Sequence, residues 1–188
     1  MMLLEPKLTE LISGCQSGKR KAQEMLYQLF ASKMLGVCMR YATDKMEAED
    51  MLQNGFIKVF SKIKDYRGEG AFEGWVRRIM VHAAIEYYRK NHKMMQLVEM
   101  SLAGTEQSVL AVATHSLEAK DLLAMIQTLP PGYRLVFNLY AIEGYAHKEI
   151  AEMLGISEGA SKSQLSRART ILKETVVKAE RVRYENFG

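Results

Sequence analysis

Along most of the sequence, apolar residues recur at intervals of three and four. Leu4, Leu8, Leu11, Ile12 and Cys15 set the pattern, and Ala22, Met25, Leu26, Leu29 and Phe30 continue it through Leu35, Cys38 and Tyr41. Leu52, Phe56, Val59 and Ile63 repeat it. This spacing lines up one face of a helix with 3.6 residues per turn. No run of alternating β-branched residues bounded by turns competes with it. The pattern predicts an all-α fold.

The stripes fall into two groups. Between Met94 and Ala119 there is no Lys or Arg, and "SLAGTEQSVLAVATHS" accumulates Ser, Thr, Gly, Gln and Ala. Such composition reads as a tether. Periodicity resumes at Leu122, Leu123, Ile126 and Leu129, stops at Pro130-Pro131-Gly132, and restarts at Leu135, Val136, Leu139 and Tyr140. The expected organisation is two small helical domains, 1–93 and 118–180, joined by a flexible linker over 94–117. In a chain of 188 residues each can bury only a modest core.

Composition narrows the chemistry. The net charge of +4 has consequences only where cations gather on one face. Cys15 and Cys38 have no Cys or His at ligand spacing, which argues against a disulfide framework, a zinc site or another bound cofactor. Both read as reduced, buried thiols. The start, MMLLEPK, is apolar for only four residues, and no uncharged apolar run reaches membrane-spanning length, so a cytoplasmic location is expected. An enzyme acting on DNA would need convergent acids, a nucleophile or a metal cluster. The four scattered histidines, His82, His92, His115 and His147, supply none, and no small-molecule substrate is implied.

The segment "HKEIAEMLGISEGASKSQLSRARTILK", residues 147–173, has the order of a helix-turn-helix: an apolar first helix, a tight turn and a longer basic helix. Ala151 lets the second helix approach, Gly155 suits a turn with positive φ, and Ser157 is a good N-cap followed by Glu158 against the helix dipole. Lys162, Ser163, Ser166 and Arg167 fall at i, i+1, i+4 and i+5, facing base edges if this helix enters a major groove, with cations further along reaching phosphates. Two positions depart from the usual motif. Ser161 stands where Val or Ile often keys the helices together, predicting looser packing. Ala146 replaces a better N-cap, at a cost of about 1 kcal/mol.

In the first half, "AEDMLQNGFIKVF" sets Asp50, Gln53 and Asn54 opposite its apolar stripe, a short-chained polar face that a merely solvated helix would also show. "YRGEGAFEGW", residues 66–75, brings three aromatic rings and three glycines together, directly before "WVRRIMVHAAIEYYRKNHK". That helix carries Arg77, Arg78, Arg89, Lys90 and Lys93 against Glu86. Rings beside a cationic groove are the parts of a single-strand nucleic-acid platform. For Trp75, at the head of an apolar stripe, the expectation is that it seals the core.

Taken in order, "AEDMLQNGFIKVF", "YRGEGAFEGWVRRIM" and "YAHKEIAEMLGISEGASKSQLSRAR" resemble the extracytoplasmic-function (ECF) group of bacterial RNA polymerase sigma factors, over residues 20–93 and 118–175. The resemblance implies a non-catalytic subunit that binds core RNA polymerase and promoter DNA, recognises minus-ten and minus-thirty-five elements and assists melting. It implies that Asp50, Gln53 and Asn54 meet the polymerase clamp helices. Tyr66 to Gly74 resembles a loop that captures a flipped base. The minus-ten and melting set is then Tyr66, Arg67, Phe72, Trp75, Arg77, Arg78, His82 and Arg89, and the minus-thirty-five set Lys162, Ser163, Ser166 and Arg167. The tether would thread toward the polymerase active-site channel, and many relatives are held by an anti-sigma factor. Asn54 stands where Glu is common, and His82 where Asn is usual. The rival reading is a stand-alone helix-turn-helix regulator with a helical sensing or dimerisation domain, which leaves the aromatic–basic junction unexplained.

Overall fold

The computed structural model describes residues 5–99 and 119–187. They form helices α1 (Glu5–Gln16), α2 (Arg20–Met39), α3 (Lys45–Lys62), α4 (Phe72–Glu99), α5 (Ala119–Gln127), α6 (Pro131–Phe137), α7 (His147–Leu154) and α8 (Glu158–Phe187). A 3-10 turn, Ile63–Asp65, follows α3, and a π-helical turn, Asn138–Ile142, follows α6. No strand occurs among the described residues, as the periodicity predicts.

Two compact units divide the chain, Met1–Glu86 and Tyr87–Gly188, and the boundary falls inside α4. Helix continues to Glu99, past the point where the tether was expected to begin. The change in composition at Lys93 removes cations without breaking helical propensity, because Met94, Gln96 and Leu97 are good helix formers. Most of the expected tether, with its path toward an active-site channel, lies outside the described residues.

The first unit is built around α2 and α3. Leu26, Phe30 and Met34 from α2 meet Met51, Phe56 and Val59 from α3, each less than 5 % exposed. Val76 and Met80 of α4 close the core and are fully buried. Burying a side chain of this size contributes about 1.5–3 kcal/mol. Cys15 and Cys38 are buried free thiols, and desolvation pushes the Cys38 thiol up to about 12. At the head of α3, Asp44 Oδ1 accepts from Glu47 N–H at 2.9 Å, while Glu47 Oε2 accepts from Thr43 N–H at 2.8 Å. These reciprocal bonds satisfy two otherwise orphaned donors and fix where the helix starts.

In the second unit, α8 packs against α5, α6 and α7. Ile126, Leu129, Val136, Leu139, Ile150 and Ala168 form its centre, each no more than 2 % exposed. Pro131 occupies the first turn of α6, where its missing N–H costs nothing. Arg134 is 3 % exposed, and its Nη1 donates to the Gln127 carbonyl at 3.0 Å, tying α6 back to the end of α5. A buried guanidinium needs such partners.

Candidate polymerase and DNA interfaces

On α3 the three predicted polar residues, Asp50, Gln53 and Asn54, are all exposed on the side away from the core. Asn54 turns its amide inward along the helix, where Nδ2 donates to the Asp50 carbonyl at 2.9 Å. Met46 and Ile57, one turn to either side, are 72 % and 67 % exposed. The face therefore mixes apolar and polar groups, unlike an ordinary solvated coat. The apolar members escaped sequence reading because periodicity assigns isolated Met and Ile to the core.

The aromatic junction has a defined internal structure. Gly68 and Gly70 have φ of 79° and 86°, so the loop turns through conformations that side chains resist. Tyr66 Oη donates to the Gly70 carbonyl at 2.8 Å and closes it. From α1, Gln16 Nε2 donates to the carbonyls of Ile63, at 3.1 Å, and Tyr66, at 3.3 Å. Gln16 was absent from the sequence reading because a polar residue at a helix end gives no signal of a partner so distant in sequence. The loop ends earlier than expected: α4 begins at Phe72, so Gly74 belongs to its first turn.

Within the ring cluster, the expected roles of Phe72 and Trp75 are exchanged. Phe72 is 4 % exposed, edge-on to Phe30 at 5.6 Å and to Tyr66 at 5.0 Å, and stacked on Trp75 at 5.5 Å. It seals the core, and no ring face remains for a DNA base. Trp75 is half-exposed, 5.4 Å from a half-exposed Tyr66. The floor is Phe72, and the accessible rings are Trp75 and Tyr66.

Beyond the rings, Arg78 and His82 are exposed on the stripe of α4 that begins at Trp75. Arg67 is exposed on the loop. Arg77 is half-buried and about 100° round the helix from Arg78, so it does not join them. Arg89 is exposed further along α4, past the end of the first unit. His82 is held toward its neutral form, first by desolvation and then by Arg78, with Lys62 and Lys58 adding to the effect and Glu86 opposing it. Glu86 in turn pairs with Lys58 of α3.

The helix-turn-helix forms as the sequence predicts. Gly155 caps α7 at φ 67°, and Ser157 Oγ accepts from Ala160 N–H at 3.0 Å at the head of α8. At Ala146 half a capping box survives: Glu149 Oε2 accepts from Ala146 N–H at 2.8 Å, offsetting part of the missing cap. Ser161 is fully buried, with Oγ 2.9 Å from His147 Nδ1, so a directed bond stands in place of the looser packing expected there.

Lys162, Ser163, Ser166 and Arg167 are all exposed. They do not act as one cluster. Arg167 Nη1 donates to Tyr133 Oη at 3.1 Å, drawing it toward α6. Lys162 pairs with Glu158 at 2.7 Å on another side of the helix. Ser166 shares that second side with Arg169 and Lys173, close to Tyr140 and His147. The two aromatic residues were outside the predicted site.

Two family models match the chain: Sigma-70 region 2 over residues 26–94 and Sigma-70, region 4 over residues 119–172. The ECF RNA polymerase sigma factor SigM of Bacillus subtilis is 29 % identical over 149 residues, covering 79 % of this chain and 91 % of that one. The chain belongs to the sigma-70 family, in its ECF group. It is an RNA polymerase sigma factor, which directs promoter-specific initiation. The RNA polymerase sigma-H factor of Pseudomonas aeruginosa is 26 % identical over 195 residues, covering 93 % of this sigma factor and 96 % of the relative. In fold, the sigma factor is similar to RpoE of Bartonella quintana, solved in complex with the anti-sigma factor NepR, with a TM-score of 0.51 and 21 % identity over 81 % of this chain and 95 % of that one. Region 2 of this sigma factor thus contains the α3 face and the aromatic junction, and region 4 contains the helix-turn-helix.

Proposed function

We propose that this sigma factor divides promoter recognition between its two units. The Asp50, Gln53 and Asn54 face, flanked by Met46 and Ile57, docks on core RNA polymerase. The loop Tyr66–Ala71, with Trp75, takes an unpaired base of the minus-ten element. Arg78 and His82 face the adjacent strand, with Arg89 further along α4, and α8 enters the minus-thirty-five major groove. The observation that carries the reading is the coexistence, in one chain, of a half-exposed ring pair on a hydrogen-bonded loop and a capped, basic helix-turn-helix. A base lifted from the stack needs a partner worth a few kcal/mol, and rings with accessible faces supply one. Two modest DNA-binding surfaces gain avidity when one polymerase holds both.

Chemistry in this reading belongs to the polymerase, and the chain itself is not an enzyme. It acts in the cytoplasm; no helix among the described residues is long and apolar enough to cross a membrane. The NepR complex of the Bartonella protein supports an anti-sigma partner here as well. Open-complex formation on duplex and on pre-melted promoter tests the base-capture assignment. Trp75→Ala is expected to lose activity on duplex and to recover on the pre-melted template. Equal loss on both would remove Trp75 from strand separation.

A further inference from the structure

An open recess of ≈ 360 Å³ lies in the second unit where the π-helical turn, the start of α7 and the middle of α8 converge. Its walls include Tyr140, His147, Lys162, Ser166, Arg169 and Lys173, and no lining residue carries a carboxylate. Helical register explains the convergence from α8. At about 100° per residue, positions 162, 166, 169 and 173 fall within roughly 60° of one another.

The other wall is held by aromatic contacts. Tyr140, on the π-helical turn, stacks on His147 with centroids 4.5 Å apart and planes 20° from parallel. The Arg169 guanidinium lies 5.7 Å from the Tyr140 ring centroid. Holding an arginine against a ring orients it without neutralising it, unlike a carboxylate partner. His147 is oriented from behind by the buried Ser161, whose Oγ is 2.9 Å from Nδ1. With Ser161 donating, the neutral imidazole carries its proton on Nε2 as a second donor.

Building on the reading of α8 as the duplex-facing helix, we propose that this recess seats one backbone phosphodiester of the minus-thirty-five duplex. Arg169 and Lys173 supply charge, His147 Nε2–H and Ser166 Oγ–H donate, and Tyr140 orients both Arg169 and His147. A single phosphate anion matches a site that offers several donors and no acceptor charge. Sequence readout then falls to Ser163 and Arg167 on the other side of α8, which the seated phosphate keeps in register.

Holoenzyme carrying the full chain tests this on a promoter chosen by its protein-dependent start, with single methylphosphonates placed in turn through the minus-thirty-five half. Wild type is expected to lose about tenfold in affinity at one position, the size of a lost charge-assisted hydrogen bond. Arg169→Gln holoenzyme is expected to start weaker, to be indifferent to methylphosphonate at that position, and to show a salt slope shallower by about one. His147→Gln is expected to reduce the same position's effect in part. If Arg169→Gln remains as sensitive as wild type at every position, the seat is wrong while the broader reading stands. If wild-type holoenzyme shows no preference for the promoter over unrelated duplex, the broader reading fails first. If inorganic phosphate binds the free protein through Arg169 while DNA affinity is unchanged by the substitution, the site serves a free anion and the DNA assignment is overturned.

Discussion

Ser161 Oγ lies 2.9 Å from His147 Nδ1, joining the two helices of the helix-turn-helix where a branched apolar side chain would ordinarily key them together. Ser161 is fully buried, so its hydroxyl needs that partner. Ser161→Ala and His147→Ala should each loosen the contact by about 1 kcal/mol. The double substitution should cost less than the sum of the two. Hydrogen exchange of the α7 and α8 amides measures this locally, and strictly additive losses would show that the bond carries no coupling.

Phe72 and Trp75 should separate stability from melting. Phe72→Ala empties a site packed against Phe30, Tyr66 and Trp75, and should destabilise the first unit by about 3–5 kcal/mol. Trp75→Ala, at a half-exposed position, should cost less stability. Thermal melts of the two variants decide the order, and a larger loss for Trp75→Ala would restore it to the core.

Gly55 is a point of close approach between α3 and α4: a Cβ there would run into Met80 Sδ, and Met80 is fully buried. Gly55→Ala should cost about 1–3 kcal/mol through overpacking. Trimming the neighbour in Gly55→Ala/Met80→Ala should recover part of the overpacking loss relative to Met80→Ala alone. An unfolding experiment in which Gly55→Ala is neutral would mean that the helices can part at no cost.

His82 gives region 2 an acid sensitivity of defined sign. Desolvation and Arg78 lower its folded proton affinity, so the unfolded chain binds the proton more readily. Its contribution to stability is present above the unfolded value of about 6.5 and is lost as pH falls through that value toward the lower folded one. Urea unfolding at pH 8 and pH 5.5 should show wild type losing more stability than His82→Gln. A smaller loss in wild type would contradict the direction of the shift.

The sequence showed its helices where local rules govern them. Asp44, Gly155 and Ser157 act as caps and turns through neighbours a few residues away, so their spacing alone identified the helix-turn-helix and would have placed the head of α3. Phe72 and Trp75 resisted because residues three apart are only about 60° apart on a helix, and their burial was decided by Phe30 on another helix. Arg134 looks like a surface cation until its carbonyl partner at Gln127 is in view. The Tyr140–His147 stack depends on a π-helical turn, whose extra residue shifts the register that periodicity assumes.

Run-off transcription by core RNA polymerase, with and without this protein, on a pool of genomic promoter fragments tests the central claim most directly. The account predicts start sites that appear only when the protein is present, and that weaken when the exposed α3 face is changed by Asp50→Lys. Transcripts identical in the two reactions across the whole pool would contradict it.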